Sequence, residues 1–138
     1  ARFLHMVRDQ METCFGNLRV LFSEAAAYSY QQDELADYFI RYRDLMSHWH
    51  ARYPGRILDV DFQALTTDTE RVAREVMAFC GLPFEADALD ISRRHSSVAT
   101  ASAAQVRQRI EPPSAPAWLP YADKLQGLKQ ALARANLA

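Results

Sequence analysis

The chain has 138 residues, 49% of them hydrophobic, and a formal net charge of −1. That length and apolar content allow one globular unit, residues 1–138, with a real core. A near-neutral balance offers no field that would draw in nucleic acid or an anionic membrane surface, so neither is expected as a partner, and any anion site must be assembled from a few placed side chains.

Phe3-Leu4-His5-Met6-Val7 predicts a strand near residues 2–7. Met11, Cys14, Phe15, Leu18, Leu21 and Phe22 then recur at helical spacing and predict an amphipathic helix over residues 10–23, interrupted by Gly16. A linker over residues 23–32 contains Tyr28 and Tyr30. Asp33 is placed to cap the next helix, whose stripe of Leu35, Phe39, Tyr42, Leu45, Met46 and Trp49 ends before Tyr53-Pro54-Gly55.

Residues 56–61 have the alternating, β-branched character of a second strand. Strand, helical crossover and strand make a βαβ unit with a parallel sheet. A parallel strand needs neighbours, and the chain supplies one other convincing strand, so the rest of the sheet is expected upstream. Thr67-Asp68-Thr69-Glu70 has the form of a capping box, with Thr67 as the cap. The helix it opens, over residues 68–80, runs through Val72, Ala73, Val76, Phe79 and Cys80 to Gly81, a left-handed terminator. Periodicity fails over residues 90–120, where Pro112, Pro113, Pro116 and Pro120 exclude a continuous helix. Leu125, Leu128 and Leu132, with Ala131 and Ala135, predict a C-terminal helix. The fold class is therefore α/β, a partial parallel sheet flanked by helices with a helix-rich C-terminal part.

Cys14 and Cys80 sit inside apolar periodic segments and read as core thiols of a reducing compartment, not as a disulfide framework or a metal site. No apolar run reaches the length of a membrane span, and no charged-then-apolar leader precedes the first strand, so the cytoplasm is the expected location. His5 lies within the first strand, His48 reads as structural beside Trp49, and His50 and His95 stand in polar contexts. None of them reads as a catalyst, and metal-ligand spacings, Gly-rich phosphate loops and base-partnered nucleophiles are missing.

The most informative position is Arg8, where the first strand hands over to a helix. In open parallel sheets, ligands collect beyond the carboxyl ends of strands, where the next helix presents unpaired N–H groups and a partial positive charge. An arginine there adds a planar, permanently charged fork for phosphate oxygens. The competing local reading is a surface ion pair of Arg8 with Asp9 or Glu12.

Four segments taken together resemble one family. They are Val7-Arg8-Asp9-Gln10-Met11-Glu12-Thr13-Cys14, Leu45-Met46-Ser47-His48-Trp49, Phe79-Cys80-Gly81-Leu82-Pro83-Phe84 and Thr100-Ala101-Ser102-Ala103-Ala104-Gln105-Val106-Arg107. In order and spacing they resemble the C-terminal half of the catalytic domain of sulfotransferases that use 3′-phosphoadenosine 5′-phosphosulfate (PAPS). The likeness is greatest to bacterial members associated with tetratricopeptide repeats and to tyrosylprotein sulfotransferases.

That resemblance implies a P-loop-like fold and transfer of a sulfuryl group from PAPS to a hydroxyl or amine acceptor. It maps the arginine that grips the nucleotide 3′-phosphate onto Arg8. The family's phosphate-binding serine falls on Gly16, which has no hydroxyl, and its tyrosine after the second strand falls on Phe62, which has no phenol. Ser102, Gln105 and Arg107 correspond to a loop that folds over the nucleotide and adds phosphate ligands. The family's 5′-phosphosulfate loop and its general base belong to an upstream half outside these residues, so this segment alone is expected to be inactive, with no catalytic residue of its own. Beside the enzyme-fragment reading stands a second, a degenerate nucleotide- or partner-binding module that does no chemistry.

Overall fold

The computed structural model describes residues 1–20, 22–89 and 114–135. Among these the fold is α/β and mostly helical, a two-stranded parallel sheet with five α-helices. Its contacts form two compact units, one of Ala1–Val7 with Ile57–Pro112 and one of Arg8–Arg56 with Pro113–Ala138.

The first unit holds the sheet. β1 (Phe3–Val7) pairs in parallel with β2 (Ile57–Asp61), Phe3 opposite Ile57 and Val7 opposite Asp61, as the two apolar runs predict. α3 (Phe62–Thr67) follows β2 directly, and the Asp61 carboxylate at the end of the strand caps it, accepting from the Ala64 N–H at 2.8 Å. α4 (Thr69–Cys80) packs on β2, and Val60 and Val72 are buried there. Its end is the predicted one. Gly81 is left-handed at φ 74°, with the Leu82 N–H donating to the Met77 carbonyl and the Gly81 N–H to the Ala78 carbonyl.

The predicted Thr67 capping box does not form. Thr67 closes α3 instead, its hydroxyl donating back to the Gln63 carbonyl at 2.9 Å, while Glu70 pairs with Arg74 one turn on. β1 departs from its pattern too: Phe3, Leu4 and Met6 are 59%, 45% and 50% exposed, although their run reads as a buried strand.

The second unit is a helical core. α1 (Gln10–Leu18) contributes Met11, Cys14 and Phe15, α2 (Gln32–Arg52) contributes Leu35 and Ala36, and α5 (Gln126–Ala135) contributes Leu128 and Leu132. Leu125, at the end of a 3₁₀ segment (Leu119–Leu125), completes the cluster. The three C-terminal leucines are thus buried as their spacing predicts. α1 is shorter than predicted, and the linker after it is a 3₁₀ segment (Ser23–Tyr30) kinked at Ala26. Asp33 does not cap α2; the cap position is Gln31, without a side-chain bond. The Gln32 amide instead ties α2 to the start of α5, donating to the Lys124 carbonyl and accepting from the Leu128 N–H. The stripe expected along α2 is buried at Leu35 but surfaces at Leu45 and Trp49, which are exposed.

The two thiols part company. Cys14 is 1% exposed, and burial, reinforced by the Asp9 charge, pushes its thiol from an ordinary 9.0 up to about 12. Cys80, expected in the core, is exposed because it ends α4 beside the chain reversal at Gly81. With an aromatic disulfide reagent near pH 8, we expect one fast thiol, lost in Cys80→Ser, and a second that reacts only on unfolding. Two fast thiols would contradict the burial of Cys14.

Candidate functional site

Arg8 lies between the carboxyl end of β1 and the start of α1, the position at which an anion site was expected. The extended conformation of Asp9, φ −45° and ψ 137°, lets its side chain fold back as the N-cap, accepting from the Glu12 N–H at 3.0 Å. The Thr13 hydroxyl donates to the Asp9 carbonyl at 2.9 Å and fixes the same turn. This helix start leaves the Arg8 side chain 41% exposed.

The Arg8 guanidinium does not wait there alone. Its Nη2 donates to Glu12 Oε2 at 2.5 Å, the ion pair that the local reading of the sequence offered. Glu12 is only 11% exposed, and its other oxygen, Oε1, accepts the backbone N–H of Ala117 at 2.7 Å. A carboxylate in this position shields the guanidinium charge and holds one edge of its fork.

Gly16 stands two turns along α1 from Arg8, within the same unit, and faces open space: a Cβ built there meets no atom within 4 Å. A serine would fit without displacing anything. Phe62 is half-buried at the first position of α3, in the other unit. Ser102, Gln105 and Arg107 lie outside the described residues.

Sequence reasoning missed two partners. Asp59 stands opposite His5 in the sheet register, and its Oδ1 is 2.7 Å from His5 Nδ1, so the carboxylate orients the imidazole. The sequence offers Glu12 only as a surface partner for Arg8, whereas its bond to Ala117 spans 105 residues. The first became visible only with the strand register, and no local signal could have shown the second.

A family model described as the sulfotransferase family matches residues 1–86. The chain belongs to the sulfotransferase family. The matched stretch of this sulfotransferase chain contains three of the four segments that carried the resemblance, at residues 7–14, 45–49 and 79–84; the fourth, at 100–107, lies beyond it. An uncharacterized protein of Aquifex aeolicus (strain VF5) is 31% identical over 124 residues. That alignment covers 88% of this chain and 16% of the relative, so the chain spans about a sixth of the relative's length. No solved structure gives a significant match. Among the described residues, no helix is long and apolar enough to cross a membrane.

Proposed function

We propose that the chain is the nucleotide-holding, C-terminal part of a larger cytoplasmic sulfotransferase domain, of the bacterial, tetratricopeptide-repeat-associated and tyrosylprotein-sulfotransferase-like kind. PAPS is the donor and a hydroxyl or amine the acceptor. The acceptor atom bonds to sulfur, the bond from sulfur to the bridging oxygen breaks, the acceptor proton passes to a base, and 3′-phosphoadenosine 5′-phosphate (PAP) leaves. Arg8 grips the 3′-phosphate, with Ser102, Gln105 and Arg107 as further ligands from the later loop. The phosphosulfate loop and the base come from the upstream half of the domain, which also contributes walls of the acceptor pocket.

The observation that carries this reading is Arg8, standing after β1 at the capped start of α1 inside the matched segment. Burial supports the missing half. A two-stranded sheet is small, and β1 leaves Phe3 exposed on one of its faces and Leu4 and Met6 exposed on the other, apolar surface that further strands and helices could cover. Gly16 and Phe62, which withdraw two donors from the nucleotide, favour one alternative: a module that binds the nucleotide and does no chemistry.

Transfer of labelled sulfate from PAPS separates the readings. The 138-residue chain is expected to transfer none, and a polypeptide extended upstream through a phosphosulfate loop to be active. Transfer by the short chain would refute the division of labour. An extended polypeptide that binds PAP yet transfers nothing would establish the non-catalytic module.

A further inference from the structure

The pairing of Glu12 points beyond the assignment of Arg8 as a phosphate ligand, on which this inference rests. The guanidinium fork matches phosphate and carboxylate oxygens alike, so the two compete for the same donors. Here a carboxylate of the same helix, four residues on, holds Nη2 at 2.5 Å. That carboxylate cannot simply swing into water. Its second oxygen is held at 2.7 Å by the Ala117 N–H, and the side chain is 11% exposed. Its backbone is fixed as well, since the Glu12 N–H is the donor to the Asp9 cap.

We infer that Glu12 is a resident counter-anion of Arg8, with which a nucleotide phosphate must compete, and that its tie to Ala117 keeps that competition in force. Physically, the site holds two opposed preferences. Arg8 attracts a phosphate dianion, and a fixed negative charge beside it repels the same ligand. A like charge held beside a phosphate at the screening of a protein surface weakens binding by about tenfold. The arrangement sets the nucleotide affinity below what Arg8 alone would give, which favours release of the spent nucleotide after transfer.

The two roles open to Glu12 differ in sign. A residue that merely orients Arg8 would cost affinity when neutralised; a competing anion would yield affinity. Glu12→Gln is nearly isosteric, and its amide oxygen still accepts from Ala117, so the helix start is kept while the charge is removed. Titration calorimetry with PAP is expected to show the E12Q chain binding about tenfold more tightly than the unaltered chain. Glu12→Asp, which keeps the charge but withdraws it by one methylene, gives a smaller gain and serves as the second variant if E12Q folds poorly by circular dichroism. Arg8→Ala removes binding in either background.

Unchanged or weaker binding in E12Q, with binding by the unaltered chain intact and still dependent on Arg8, overturns the inference and leaves the Arg8 assignment standing. Binding that survives Arg8→Ala in both backgrounds, or no binding in any variant, overturns the assignment itself and the inference with it.

Discussion

Arg8→Ala is expected to abolish binding of PAP, while Gly16→Ser and Phe62→Tyr each tighten it. The guanidinium is a permanent cation at the strand-to-helix junction, and its removal also leaves the Glu12 carboxylate facing the phosphate without compensation. In the other direction, each restored hydrogen bond to a charged phosphate is worth roughly 1.5–3 kcal/mol, or about one to two decades of affinity. The space for it exists at Gly16, where a built Cβ meets nothing within 4 Å, and serine is also the better residue inside a helix. Phe62→Tyr adds one hydroxyl to a half-buried ring. Calorimetry on the three variants decides the matter, and equal affinities throughout would show that the nucleotide lies elsewhere.

The second large effect is on stability. Leu128 is fully buried in the cluster that Leu125 and Leu132 form with apolar residues of α1 and α2, so Leu128→Ala is expected to cost about 2–5 kcal/mol and to lower the melting temperature by roughly 10 °C. Leu82, 58% exposed beyond the end of α4, provides the control, and Leu82→Ala should stay within about 0.5 kcal/mol of the unaltered chain. A loss below about 1 kcal/mol at Leu128 would mean that α5 does not close the helical core.

What the sequence disclosed about this fold follows from how far each signal reaches. Gly81 and the C-terminal leucines were legible because a left-handed cap and an i, i+3, i+7 spacing are properties of adjacent residues. α3 was not, since six residues are too few to show a helical period, and once it was missed Thr67 looked like the start of a helix when it is the end of one. Cys80 obeys the periodicity of its helix and is exposed all the same, because a terminal position has no following turn to cover it. The exposed apolar residues of β1, on both of its faces, show that pattern reports what a strand is suited to pack against, whether or not that partner belongs to the chain. In the site, Arg8 could be located from its neighbours alone. The second contact of Glu12, with Ala117, could not, because it depends on how the C-terminal segment returns to α1.

The parallel pairing of β1 with β2 limits how this polypeptide can be shortened or rewired. Antiparallel strands can be joined by a two-residue turn, but parallel ones cannot: a chain leaving Val7 must travel back the length of the sheet, about 16 Å for five residues, before it can begin Ile57. The stretch from Arg8 to Arg56 is that return path, and α2 alone, with 21 residues, extends about 31 Å. An engineer could trim or exchange helices within it, or open new termini at Pro54-Gly55, yet could never replace it with a tight loop without inverting a strand and turning its side chains to the wrong partners.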